Sequence, residues 1–283
     1  MKKTDLFRKL VKGLARAAVP ALLVASQSAS AAFVGGAEYL IGRDRLQTLT
    51  SGTYAGLANP NFGRPTLLWN HGSHFHGIGQ FSYSGPAATP VINPTNANNR
   101  LPEIHSLQPP LALSAGSGLY EGKLVNVANP AVKYSSITLK GIDVLFDGPP
   151  GSAENILLSS SNGRWGGSMA NSKLALELVS ATPGLKVGNS STLDLFGAGN
   201  RYLLGDGAML DFTPVFWVAG NAPAGTYSAE FRLLDLGTNN AVLGQGGTFN
   251  FDFAAPVPVP PAVWLLGSAL AALGVSRKRA AAT

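Results

Sequence analysis

The central part of this 283-residue chain alternates apolar and polar side chains with a period of two. In TFNFDF, Phe249, Phe251 and Phe253 fall on one face and Thr248, Asn250 and Asp252 on the other. In TYSAEFRLLDL, Tyr227, Ala229, Phe231 and Leu233 oppose Ser228, Glu230 and Arg232. SITLKG sets Ile137 and Leu139 against Thr138 and Lys140. Successive strand side chains point to opposite faces, so these stretches predict half-buried strands. KLALELV sets Leu174, Leu176 and Leu178 against Lys173, Ala175 and Glu177 and reads as a strand, with a short helix as the alternative. PVFWVAG (214–220) is apolar on both faces and predicts a central strand. Turn-rich stretches such as NAPAGTY and GTNNAVLGQGG separate these runs. The expectation is an all-β fold, an antiparallel β-sandwich-like domain over residues 32–255.

One region breaks the pattern. Between Tyr83 and Leu119 lie six prolines and four asparagines with little alternation. A long ordered loop crossing the sheet is expected there, and loops of that length are usually functional or disordered.

The two ends have another character. MKKTDLFRKLVKGLAR carries six basic residues and one acid, followed by an apolar run (17–25) and SQSASAA. A charged segment, a short apolar segment and a small-residue cleavage site make residues 1–31 a secretory signal peptide, the substrate of a signal peptidase. At the other end, residues 256–283 hold a proline-rich opening, an uncharged apolar stretch (262–275) and the basic trio Arg277, Lys278 and Arg279. Fourteen residues of helix cover about 21 Å, against roughly 30 Å of hydrocarbon, so a single short transmembrane helix spans marginally. The basic trio places the C-terminus in the cytoplasm and the central domain outside, the topology that the signal peptide also requires.

This tail resembles the PEP-CTERM sorting signal in its V-P-x-P variant. The residues that carry the resemblance are Val257, Pro258, Pro260, Pro261 and Trp264, with Arg277–Arg279 at the end. Val259 stands where the namesake motif has glutamate. The resemblance implies recognition by an exosortase, transient anchoring in the inner membrane, and delivery to the outer envelope, cell surface or extracellular matrix.

Charge then changes meaning. The whole chain is formally +6, yet of its twenty-one Lys/Arg six lie in residues 1–31 and three in 277–279. Residues 32–276 keep twelve against fourteen of the fifteen acids. The domain is close to neutral, so a nucleic-acid partner has no electrostatic basis. The chain has no cysteine, which excludes disulfides and thiolate metal sites.

Histidine supplies the candidate chemistry. There are four in the chain, and His71, His74, His76 and His105 all fall within thirty-five residues. In a strand, His74 and His76 project from one face, and His71, behind Gly72, can fold back towards them. An all-nitrogen set suits zinc, copper, nickel or iron better than calcium or magnesium, and zinc is the default. His105 is expected to close the shell from the Pro/Asn-rich loop, with Glu103 as the alternate fourth ligand; metal binding would then order that polar segment. The stretches LLWNHGSHFHGIGQFSYSG, LALSAGSGLYEGKL, SNGRWGGSMANSKLALELVSATPGL and YLLGDGAMLDFTPVFWVAGNAPAGTYSAEFRLLDLG look like a family of PEP-CTERM proteins repressed by the zinc uptake regulator. That resemblance implies expression under zinc scarcity and a role in zinc capture or envelope zinc economy.

Two other readings stand beside a zinc-binding protein. An exopolysaccharide-binding or matrix protein could use Trp69, Trp165 or Tyr83 as stacking platforms. A metal-dependent hydrolase would need a free coordination position. The chain has no zincin glutamate spacing and no G-x-S-x-G, and Asp143, Asp206 and Asp211 read as turn and strand-end residues. Calcium at DGPPGSAEN (Asp147, Glu154) lacks regular acidic spacing. The export reading is tested by intact mass. Protein from envelope and secreted fractions should lack residues up to about Ala31, whereas cytoplasmic protein that retains Met1 would contradict it.

Overall fold

Along most of the chain, alternation becomes strand pairing. The computed structural model describes residues 38–129, 131–236 and 242–257. The expected signal peptide, the sorting motif from Pro258 onward and the expected transmembrane helix with Trp264 and Arg277–Arg279 lie outside the described residues. Among those described, no helix is long and apolar enough to cross a membrane.

The first elements are β1 (Tyr39–Arg43), β2 (Pro65–Asn70), β3 (Phe75–Ile78), β4 (Ser82–Ser84) and β5 (Val91–Asn93). Then come β6 (Arg100–Leu101), β7 (Leu111–Ala115), β8 (Lys123–Asn126), β9 (Leu139–Gly141) and the helix α1 (Ala153–Gly163). The chain continues through β10 (Lys173–Ala181), β11 (Lys186–Gly188), β12 (Arg201–Asp206) and β13 (Asp211–Phe212). β14 (Val215–Ala219), β15 (Gly225–Leu236) and β16 (Val242–Ala255) complete it. One sheet has the order β13-β9-β1-β2-β3; a larger one runs β11-β14-β8-β7-β16-β15-β10-β12, with β6 also on β16; β4 and β5 form a hairpin.

The protein is therefore mostly β, as the alternation predicts. The expectation of antiparallel pairing holds for most ladders and needs correction at three. β1 pairs β9 in parallel, and β16 pairs both β6 and β7 in parallel. Each of these partners is far from the other in sequence, and alternation within a strand carries no signal of its neighbour's direction.

The core centres on the long β15–β16 ladder, which runs from Gly225↔Ala255 to Leu236↔Val242. Phe249, Phe251 and Phe253 are buried together with Tyr227, Ala229, Phe231 and Leu233. Phe216 packs against Phe253 with ring centroids 4.5 Å apart. From the other sheet, Tyr39 meets Phe251 edge-on at 6.0 Å and 82°, so both sheets feed one apolar cluster. Each fully buried phenylalanine contributes roughly 1.5–3 kcal/mol. KLALELV is a strand, with Leu174 and Leu176 buried. PVFWVAG does not have two buried faces: Phe216 and Val218 point inward, while Val215 and Trp217 are half-exposed. The indole N–H of Trp217 donates to the Leu193 carbonyl at 2.7 Å, an arrangement that suits a surface rim.

No helix is expected from the sequence over 153–163, where the chain forms α1. α1 begins at Ser152, whose side chain accepts from the Asn155 N–H, and Glu154 in its first turn complements the helix dipole. Glu154 thus has a structural place without calcium. The helix loses regular geometry at Ser160, Ser161 and Asn162.

The Pro/Asn-rich stretch also differs from expectation. It contains β4–β7 and is ordered by its own amides. Asn99 donates to the Gln80 carbonyl at 2.7 Å while its Oδ1 accepts from the Gln80 N–H at 3.2 Å. Asn96 Oδ1 accepts from the Asn98 N–H at 2.8 Å. Short amide side chains stand in for backbone partners, which is why asparagine is frequent here. The segment also lies along β16: the Thr248 and Asn250 N–H groups donate to the Pro94 and Asn99 carbonyls at 2.8 and 2.9 Å. Close approach of β3 to β16 depends on glycine. Gly79 has φ +80°, and a Cβ there would come within 2.8 Å of the Phe249 ring.

Phe251 is the shared ring of this core. Phe251→Asp should lower stability by about 4 kcal/mol or more, because it buries a charge with no partner. Chemical denaturation measures this, and a change under about 1 kcal/mol would show that the site is not core.

Candidate metal centre

The edge hairpin β2–β3 builds the site. Its register pairs Trp69 with His76 and Asn70 with Phe75, and the His71 N–H donates to the His74 carbonyl at 3.0 Å. Gly72 and Ser73 form the tip. Gly72 has φ +90°, a conformation that costs any other residue strain, and its N–H donates to Asn70 Oδ1 at 2.7 Å. His71 and His74 consequently flank the tip. His76, two residues beyond His74, shares its face.

The imidazoles converge. His74 Nε2 and His76 Nε2 are 3.2 Å apart. Nitrogen ligands around a tetrahedral zinc with bonds of 2.0–2.1 Å stand about 3.3 Å from one another. His71 stacks on His76 with ring centroids 3.8 Å apart and 28° between planes. Its other neighbour is Trp69, 3.9 Å away at 67°. Packing between an indole and a second imidazole restricts the rotamers of His71 before any ion arrives. The three histidines can hold a metal ion.

Glu103 lies beneath them, delivered by the chain that follows β6. It is 2 % exposed. Burial pushes its carboxyl up, but the imidazoles of His71 and His76, with His105 behind them, outweigh burial and hold it below the usual carboxylate range. An ionised carboxylate only accepts hydrogen bonds. At 2.6 Å from Glu103 Oε1, His76 Nδ1 must therefore carry the proton, which leaves the Nε2 lone pair towards His74. A carboxylate that fixes the tautomer of a ligating histidine is a recurrent feature of metal sites. For His74, burial first and then nearby His76 and His71 lower the pKa, against an opposing pull from Glu103. It thus stays neutral, and able to ligate, to lower pH than an ordinary histidine.

His105 stands exposed on the one-turn 3-10 helix Ile104–Ser106. Its Nε2 is 3.2 Å from Glu103 Oε2, and it groups with His76 and Glu103 and not with His71 and His74. All four predicted histidines, together with Glu103, do meet in one place. No protein-family model, curated protein or solved structure matches this chain. Function has to be argued from the site.

Other candidates have structural occupations. Asp143 accepts from the Met169 N–H at 2.8 Å and from Ser168 Oγ, Asp206 accepts from the Ala208 N–H at 2.9 Å, and Asp211 pairs with Lys140 at 3.3 Å. Trp69 and Trp165 are buried, so neither offers an open ring to a sugar. Tyr83 is half-buried and its hydroxyl donates to the Ala58 carbonyl at 2.9 Å. Sequence reasoning missed two supports of the site, the packing of Trp69 and the clamp of Asn70 on Gly72. Its signal for Glu103 was only the position two residues before His105.

The electrostatics of the hairpin give a direct test. Followed by NMR, His74 should titrate below the ordinary histidine value of about 6.5 in metal-free protein, and move up towards it in His76→Ala. An unchanged His74 midpoint in that variant would contradict the repulsion described above.

Proposed function

We propose that this protein is an exported, exosortase-sorted envelope or extracellular protein that binds zinc through His71, His74 and His76. The observation that carries the reading is the 3.2 Å approach of His74 Nε2 and His76 Nε2 above a buried carboxylate that presents His76 in its metal-binding tautomer. The scaffold is read as sandwich-like, two sheets over a shared core with the site on the edge hairpin of one of them. Zinc is the ion of choice because it accepts an imidazole-dominated tetrahedron and needs no thiolate, which this chain lacks. The resemblance to zinc-uptake-regulator-repressed PEP-CTERM proteins supports a role in zinc scavenging during limitation. The signal peptide and sorting tail support delivery outside the inner membrane.

Equilibrium dialysis with zinc on the full chain tests this. Wild type should bind zinc, and the His71→Ala/His74→Ala/His76→Ala variant should lose at least about 100-fold in affinity. Binding requires neutral imidazoles, so wild-type affinity should fall as pH drops below about 6.5, where protons compete for the ligands. A triple variant that binds as tightly as wild type would refute the assignment.

A further inference from the structure

His76 faces two ligand groups through opposite nitrogens. Its Nε2 lies 3.2 Å from His74 Nε2, whereas its Nδ1 lies 2.6 Å from Glu103 Oε1. Behind it, His76, Glu103 and His105 form a second group whose ligand atoms are all within 4.8 Å of one another. Within that group, His105 Nε2 and Glu103 Oε2 are 3.2 Å apart, again close to the roughly 3.3 Å between ligands of a tetrahedral ion. Glu103 Oε2 is buried and makes no hydrogen bond. A buried charged oxygen without a hydrogen bond is held only by opposite charge close to it. Its nearest cationic candidates are the imidazoles of His105 and, at 3.7 Å, His71.

We propose that His76 Nδ1, Glu103 and His105 hold a second divalent cation beside the three-histidine site, with the His76 ring bridging the two. The inference rests on the zinc reading above. With one ion bound through Nε2, His76 Nδ1–H donates to Glu103. The second ion takes the place of that proton, which leaves to solvent, and Glu103 turns from acceptor into ligand through its unpartnered oxygen. His105 completes the group from an exposed turn, so this ion enters and leaves from the solvent side. The pair of sites gives the protein a tightly held ion and a more exchangeable one, an arrangement suited to passing zinc on.

The test is stoichiometry, read with zinc alone and then with Cu²⁺ as a paramagnetic probe. Stripped wild-type protein should take up two equivalents in separate steps. His105→Ala, a change at an exposed side chain, should keep the first equivalent and lose the second, and Glu103→Gln should lose the second as well. Loaded with two equivalents of Cu²⁺, wild type should show magnetic coupling across the His76 ring that one equivalent lacks. Saturation of wild type at one equivalent, with His105→Ala indistinguishable from it, would overturn the second site while leaving the first intact. Failure to bind any zinc would overturn both.

Discussion

A carboxylate almost wholly removed from water cannot stay ionised by itself, and that constraint organises the histidine-bearing edge of this protein. Glu103 is held as an anion by the imidazoles around it. In return it dictates which nitrogen of His76 carries a proton and which faces the neighbouring histidines. Burial of the carboxylate depends in turn on the preceding strand. Leu101 is fully buried beside Phe251, and this sets Glu103 two residues later beneath the hairpin. Core packing and site chemistry are therefore linked through a few residues of chain.

The strands were legible wherever one face is apolar and the other polar. TFNFDF and TYSAEFRLLDL put their aromatic faces into the core as alternation requires. What could not be read was whatever depends on a partner far along the chain. β7 pairs β16 in parallel, yet LALSA is too short and too weakly patterned to announce itself inside a stretch dominated by proline and asparagine. α1 was hidden for a different reason. Its residues are mostly small and polar, and its only fully buried apolar side chain is Leu157, so no apolar stripe marks a helical period.

The site was half legible. Spacing of two residues between His74 and His76 implies a shared face, and the geometry has the two rings meeting there. His71 needed the turn at Gly72, which the glycine hints at but does not fix. Glu103 is legible as an alternate ligand, but its hold on the His76 tautomer follows from burial, and a lone glutamate in a polar stretch gives no sign of being buried. The asparagines misled for a related reason. They read as part of a long loop with little strand pattern, whereas their amides supply hydrogen bonds that neighbouring backbone would otherwise lack.

Preorganisation gives the arrangement its functional sense. The carboxylate already selects the tautomer of His76, the His74 ring already stands 5.1–5.3 Å from its two neighbours, and Trp69 already braces His71, so part of the ligand set is in place before an ion arrives. Such a site favours capture at low free metal. X-ray absorption at the zinc edge, on protein loaded with one equivalent, decides whether the imidazoles of this hairpin hold zinc. Zinc bound there should show a nitrogen-dominated shell at about 2.0–2.1 Å with the outer-shell scattering of several imidazole rings. A shell of oxygen neighbours without imidazole scattering would contradict it.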